Sequence, residues 1–240
     1  MTRHPAIAWY DRRRYLAVAI LSLGAIGFTA ILSFSSTPVF QPFFRNIPPL
    51  LAVSIISVLG VVSLGYLSSR GWFEMAVGSE SLRGVAWSSA FATMFAVVIV
   101  LADLVVIFPY RHVQPPQSLL FFPTIAFVGE IMFHILPLSI FLALLGPLFK
   151  DRDSSKLVWL CIVLASCPEP IFHLSWRASE ATLGLADVYV GLHVFVFNLL
   201  QLDMFSRYDF LSMFIFRLVY YLYWHVMWGC ARQYLLPAWR

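Results

Sequence analysis

Seven long apolar segments separated by short polar connections constrain the fold of this chain more than any other feature. Most match the roughly 20 residues that an α-helix needs to cross the hydrocarbon core of a bilayer. The segments cover residues 15–34, 50–68, 84–109, 118–148, 157–175, 183–202 and 210–230. The sequence therefore predicts an all-α fold, a polytopic transmembrane helical bundle of about seven spans.

The composition agrees with a chain that resides in a lipid bilayer. Hydrophobic residues make up 60% of the sequence and charged residues only 12%, whereas soluble domains carry about 25% charge. No connection is long enough for a soluble domain, so residues 1–240 are interpreted as a single integral membrane domain. The first apolar segment follows basic residues like a signal peptide, but its length and the lack of a small-residue cleavage site favour a first span.

The basic residues predict an orientation rather than a nucleic-acid partner, because they lie in short connections and at the termini and form no patch. Ten fall on the side of the N-terminus: Arg3, Arg12, Arg13, Arg14, Arg70, Arg83, Lys150, Arg152, Lys156 and Arg207. Five fall on the opposite side: Arg45, Arg111, Arg177, Arg232 and Arg240. Since cytoplasmic loops are enriched in Lys and Arg, the N-terminus is predicted to be cytoplasmic.

Ionisable residues inside the predicted spans mark where function should be sought, because each costs free energy to insert and usually faces the bundle interior. They are Asp103, Glu130, His134, Glu169, His173, Asp187, His193, Arg217 and His225. Only Asp103 belongs to the first three segments. Residues 1–117 are therefore interpreted as scaffold spans and residues 118–230 as the active core.

Two acidic residues are each followed four positions later by a histidine, in the pairs Glu130 with His134 and Glu169 with His173. Positions i and i+4 share one face of a helix, so each pair can hydrogen-bond locally or present both groups to one cavity. For either pair alone, a functional site and a local hydrogen bond that only compensates the buried carboxylate are equally good interpretations. Two such pairs together favour a site.

Prolines and a polar stripe add to this pattern. Pro168 and Pro170 flank Glu169 and predict a kinked or opened helix there. Pro123 and Pro137 are possible break points in the long fourth segment. In the last segment a polar stripe runs along one face at steps of four residues, through Arg217, Tyr221 and His225. One interpretation places His225 in the bundle interior as part of a site. The other is that His225 is a hydrogen-bonded core histidine without a function and that Arg217 lies near a span end and extends to the membrane interface.

The order of these motifs resembles the CAAX protease and bacteriocin-processing family, the Abi or type II CAAX prenyl endopeptidase-like intramembrane proteins. That family carries a Glu-Glu-x-x-x-Arg motif, then Phe-x-x-x-His, then His-x-x-x-Asn or Asp. The matching stretches in this chain are residues 129–134, 169–173 and 225–229, and the resemblance covers residues 118–230.

The resemblance implies a hydrolase in which a glutamate and His173 activate water while His225 steadies the oxyanion. His173 and His225 match their motifs, and Glu130 stands one position away from the catalytic glutamate. The chain departs from the family at four places: Gly129 for the first glutamate, His134 for the arginine, Glu169 for the phenylalanine and Gly229 for the last polar residue. Either Glu130 or Glu169 then acts as base, or the chain is an inactive relative.

The expected function is an intramembrane endopeptidase, with Glu130, Glu169, His173, His225 and His134 as its catalytic candidates. Its substrate would be a membrane-associated peptide or, by the resemblance, a prenylated or otherwise lipidated protein. Two alternatives remain open. The glutamates and histidines could bind zinc or iron in the bundle core, or the polar pairs could serve as interhelical contacts in a non-enzymatic membrane partner or scaffold.

Overall fold

The computed structural model describes residues 5–34, 39–73, 78–108, 113–148 and 154–235. Over these residues the regular secondary structure is helical throughout, and seven helices are long and apolar enough to cross a membrane. They are Tyr15–Ser33, Pro49–Ser69, Ser81–Val106, Gln117–Leu145, Ser155–Ser179, Leu185–Arg207 and Phe210–Leu235. The predicted all-α polytopic bundle is confirmed.

Several spans consist of more than one helical element. The elements are α1 (Pro5–Ser33), α2 (Gln41–Phe44), α3 (Pro49–Ser69), α4 (Gly78–Val106), α5 (Gln117–Gly129), a π-helical turn (Glu130–Ile135), α6 (Leu136–Leu145), a 3₁₀ turn (Gly146–Leu148), α7 (Ser154–Ala165), α8 (Pro168–Glu180), α9 (Leu185–Arg207), α10 (Phe210–Tyr221), a second π-helical turn (Leu222–Trp228) and α11 (Gly229–Leu235). Five of the basic residues used to predict orientation lie outside the described residues: Arg3, Arg111, Lys150, Arg152 and Arg240.

Small residues let the helices approach one another closely. The most extensive contact joins α4 to α10, and Gly84 of α4 faces Ser212 and Tyr208 there without room for a side chain. Gly60 of α3 similarly faces the side chain of Ile131. Because lipid gives little hydrophobic drive for helix association, such close packing is a main source of stability in membrane bundles.

The fifth span is interrupted where the prolines predict it. α7 ends at Ala165 and α8 begins at Pro168, so Ser166 and Cys167 separate two half-helices. The carbonyl of Ser166 accepts a 3.4 Å hydrogen bond from the Asn198 side chain on α9, which is the interhelical contact expected of a buried amide. Glu169 therefore stands in the first turn of a new helix.

The fourth span continues as a regular helix through Pro123, and its one irregularity among the described residues ends two residues before Pro137, near the second position where the sequence suggested a break. Pro123 lies inside α5 and Pro137 in the first turn of α6. The irregularity lies between them, in the π-helical turn that holds Glu130 and His134. The last span has a second π-helical turn, which holds His225. Such turns are rare and often occur at functional sites.

Candidate functional site

Arg217 lies at the centre of a buried ionic cluster, with 1% of its surface exposed. Its Nη1 and Nη2 donate to Oε1 and Oε2 of Glu169 at 2.7 and 2.8 Å. Its Nε donates to Oε1 of Glu130 at 2.7 Å. This two-pronged contact with Glu169 uses the planar fork of the guanidinium, which is the strongest geometry for an arginine and a carboxylate.

Gln201 and His134 complete the contacts of this group. The amide of Gln201 donates to Glu130, and its oxygen accepts from Nη2 of Arg217 at 3.1 Å. Nδ1 of His134 lies 3.0 Å from Oε2 of Glu130, and its Nε2 lies 3.9 Å from Oε2 of Glu169. We call these five residues, Arg217, Glu130, Glu169, His134 and Gln201, the Arg217 cluster.

The charges of the Arg217 cluster nearly balance. Two carboxylates face one guanidinium, so one additional proton on an imidazole or a carboxylate makes the cluster neutral. Balance matters here because an uncompensated buried charge costs several kcal/mol, about 3–5 in measured cases where one partner was removed. The cluster joins the π-helical turn of the fourth span to α8, α9 and α10.

A cavity of about 620 Å³ adjoins one side of the Arg217 cluster. Its aromatic wall includes Phe43, Phe108, Phe121, Phe122 and Phe197. Its polar groups include Glu169, His173, His193, Arg217, Tyr221 and His225. A mostly apolar cavity with a few convergent polar groups is the usual form of a ligand or active site.

Three histidines reach the cavity from different helices. Nε2 of His173 lies 4.0 Å from Oε1 of Glu169, and about half of this side chain is exposed (49%). The ring of His225 stacks on Phe122, with ring centroids 4.6 Å apart and planes at 10°. Nε2 of His193 lies 3.3 Å from the hydroxyl of Tyr220. Imidazoles therefore face the cavity from α8, α9 and the last span.

The five residues proposed from the sequence divide into two groups. Glu169, His173 and His225 line the cavity together. Glu130 and His134 are fully buried and do not line it, because Arg217 lies between Glu130 and the cavity side. Of the two local pairs, Glu130 and His134 lie within hydrogen-bonding distance at 3.0 Å, whereas Glu169 and His173 lie 4.0 Å apart, too far for a direct hydrogen bond.

Of the two positions that the sequence left open for Arg217, the bundle interior is the correct one and the membrane interface is wrong. Arg217 is buried between two glutamates rather than extended to the membrane surface. A charge argument could have found it, since two glutamates in neighbouring spans need a cation and Arg217 is the arginine nearest mid-span. Tyr221, whose hydroxyl lies 3.1 Å from Nη1 of Arg217, belongs to the predicted polar stripe, whereas Gln201 carries no charge and follows no pattern that would have indicated it.

A second buried ion pair joins α4 to α11. Asp103 accepts hydrogen bonds from Nη2 of Arg232 at 3.0 Å and from Nε1 of Trp228 at 2.8 Å, and Nε of Arg232 lies 2.7 Å from its Oδ2. It also accepts from the backbone N–H of Phe108 at 2.8 Å, and Nη2 of Arg232 donates to the carbonyl of Phe108 at 2.7 Å. These bonds fix the end of the third span, including cavity residue Phe108, against the last helix.

The alternative of a zinc or iron site has little geometric support. In the described parts of the chain, no group of three or more His, Cys, Asp and Glu side chains is arranged to hold a metal ion. The carboxylates of Glu130 and Glu169 instead converge on the guanidinium of Arg217. The cation that these glutamates surround belongs to the protein itself.

Comparisons of the chain with protein-family models, with curated proteins and with solved structures find no match. The resemblance to the CAAX protease and bacteriocin-processing family therefore depends on the three motifs alone.

Proposed function

We propose that this chain is an intramembrane endopeptidase that cleaves membrane-associated peptides with a water activated by Glu169 and His173. One observation carries the proposal: a carboxylate and an imidazole face each other at the polar end of an aromatic cavity between membrane-spanning helices. The motif resemblance supports the same reaction class. The extension to prenylated or otherwise lipidated proteins derives from that resemblance.

Glu169 is the better base of the two glutamates. It lines the cavity, whereas Glu130 lies behind Arg217. Each oxygen of Glu169 accepts one hydrogen bond from Arg217, and a carboxylate oxygen has a second lone pair available for water. The 4.0 Å separation from Nε2 of His173 is too long for a direct hydrogen bond but suits a bridging water.

The reaction follows from these positions. His173 holds the bridging water by a hydrogen bond, and Glu169 takes a proton from this water as the water oxygen bonds to the scissile carbonyl carbon. The carbonyl oxygen becomes an oxyanion that accepts a hydrogen bond from His225, an arrangement that stabilises the developing charge. Collapse of this intermediate breaks the C–N bond, and the proton held by Glu169 passes to the leaving nitrogen. Arg217 and Glu130 act by positioning Glu169.

The orientation forms part of the proposal. With ten basic residues on one side and five on the other, the N-terminus is cytoplasmic and the odd number of spans puts the C-terminus outside. Tags at the two termini, probed with antibodies in intact and permeabilised cells, test this directly. A C-terminal tag that is accessible only after permeabilisation would contradict it.

The peptidase test uses purified protein in proteoliposomes with an apolar fluorogenic peptide. Glu169→Gln, His173→Ala and His225→Ala should each lower turnover by at least about 100-fold, the usual contribution of acid–base or oxyanion groups. The control is Arg207→Gln, because Arg207 is exposed and distant from the cavity. Full turnover in both histidine variants, in well-folded protein, rules the mechanism out.

A second candidate function is a non-enzymatic membrane partner or scaffold. Its support is that both glutamates are already hydrogen-bonded by Arg217, as expected of a purely structural network. In that case the wild-type protein shows no peptidase turnover, and Arg217→Ala impairs folding while His173→Ala and His225→Ala have no consequence. The same panel of variants therefore separates the two functions.

A further inference from the structure

The cavity occupies one half of the bundle, the half that is distant from the N-terminus. Wall residues come from the second half of the third and fifth spans (Ile99, His173) and from the first half of the fourth and sixth (Phe122, Val190). Because successive spans run in opposite directions, these segments share one end of the bundle. His225, in the later part of the seventh span, lies at that end as well.

The cavity extends to the membrane surface at this end. Its lining includes residues outside the spans, Val39 and Phe43 from the connection after the first span and Val113 and Gln114 from the connection after the third. Glu169 lies ten residues before the end of the fifth span, a depth of about 15 Å at the rise of an α-helix. The polar end of the cavity is therefore near the middle of the membrane.

Below the Arg217 cluster, toward the other end of the bundle, the described residues are closely packed. Ile131, Leu202 and Met213 are fully buried there, and the amide of Gln201 bonds to the carbonyl of Met213 at 3.2 Å. A molecule that reaches Glu169 and His173 therefore arrives from the end opposite the N-terminus.

The lining also restricts the chemistry of the ligand. Among the described lining residues, Gln117, Trp176 and the three histidines carry groups that can donate hydrogen bonds, while the lining carboxylate, Glu169, is held by Arg217. Aromatic rings form much of the remaining wall. Such a surface suits an apolar chain that carries acceptor oxygens, as the backbone carbonyls of a hydrophobic peptide do.

We infer that the cavity takes its ligand from the extracytoplasmic side, and that this ligand is a membrane-anchored peptide exposed on that side. That the ligand is a peptide rests on the proposed function, and that the accessible side is extracytoplasmic rests on the proposed orientation. A peptide tail confined to the cytoplasm cannot reach Glu169 by this route. The inference therefore separates this chain from a processing enzyme for cytoplasmic C-termini.

Cysteine labelling tests the side of access without any need for activity. In a background with Cys161, Cys167 and Cys230 replaced by alanine, Val113→Cys and Gln117→Cys report on the cavity mouth. Ser69→Cys is the matched control, because Ser69 is exposed at the opposite end of the bundle. A membrane-impermeant maleimide should label positions 113 and 117 in intact cells and position 69 only after permeabilisation. The reverse pattern overturns the inference.

Sealed proteoliposomes of known orientation then separate this inference from the proposed function. Cleavage of a peptide supplied only at the face that labels positions 113 and 117 supports both. Cleavage only from the opposite face overturns the inference and leaves the peptidase proposal standing. If the labelling is as expected but the peptide is cleaved from neither face, the peptidase proposal is contradicted. The labelling result still supports access from the predicted side.

Discussion

Arg217 holds Glu169 by two parallel hydrogen bonds of 2.7 and 2.8 Å across 48 positions of sequence. The same guanidinium reaches Glu130, 87 positions away, through its Nε. One side chain of the last span thus fixes the two acidic residues of the fourth and fifth spans relative to each other. The cavity owes the position of its carboxylate to this arrangement.

Replacing Arg217 should destabilise the bundle strongly. Arg217→Ala leaves two buried carboxylates without their cation, and loss of one partner from a buried pair costs about 3–5 kcal/mol. Arg217→Lys should recover only part of this, because an ammonium group cannot bind both oxygens of Glu169 in parallel. Thermal unfolding in detergent measures the loss.

The matched control for Arg217 is Arg207. It pairs with Asp203 at 2.8 Å, but 63% of its side chain is exposed, and exposed pairs contribute at most about 1 kcal/mol. Arg207→Ala should therefore lower the melting temperature little. If both alanine variants unfold at the same temperature as the parent protein, the Arg217 cluster does not hold the spans together.

The two glutamates should differ in their kinetic roles. Glu169→Gln removes the proposed base and should lower kcat by at least about 100-fold. Glu130→Gln keeps an acceptor oxygen for Arg217 and lies outside the cavity lining, so a smaller loss in kcat with an unchanged KM is expected. Steady-state kinetics of both variants in proteoliposomes provide the comparison. Equal losses would mean that Glu130 takes part directly in the chemistry.

The sequence predicts the spans and the local pairs well, because both depend on short-range patterns. A run of about 20 apolar residues suffices to identify a span, and spacing of four residues suffices to place Glu130 beside His134. The proline pattern likewise predicts the interruption next to Glu169. These features need no knowledge of how the helices pack.

The rest of the site depends on contacts between distant segments. Nothing near Arg217 in the sequence indicates that its partners are Glu130 and Glu169, so the arginine could equally have reached the interface. The π-helical turn lies between Gly129 and Pro137, but neither residue by itself predicts a π-helical turn rather than a continuous α-helix or a kink. Tertiary packing decides which of the two glutamates faces the cavity.

The pair of Asp103 and Arg232 should stabilise the extracellular-facing end assigned by the proposed orientation. Asp103→Asn weakens a carboxylate that accepts three hydrogen bonds and forms an ion pair with Arg232, and hydrogen bonds to a charged group contribute about 1.5–3 kcal/mol each. A double-mutant cycle with Arg232→Gln, measured by unfolding in detergent, should give a coupling free energy of about 1–3 kcal/mol. Additive effects of the two substitutions would show that the pair is not coupled.

Packing between α4 and α10 gives a prediction independent of any charge. A Cβ atom on Gly84 would overlap the hydroxyl of Ser212 and would come within 2.8 Å of Cβ of Tyr208, which is anchored to the backbone and cannot move aside. Gly84→Ala should therefore destabilise the protein by about 1–3 kcal/mol through overpacking. Gly24 is the control, since a Cβ there meets nothing within 4 Å, and Gly24→Ala should be neutral or stabilising by up to about 1 kcal/mol because alanine favours helix. The melting temperatures of the two variants in the same detergent test this prediction. A lower melting temperature for Gly84→Ala alone supports tight packing between α4 and α10, and equal melting temperatures would contradict it.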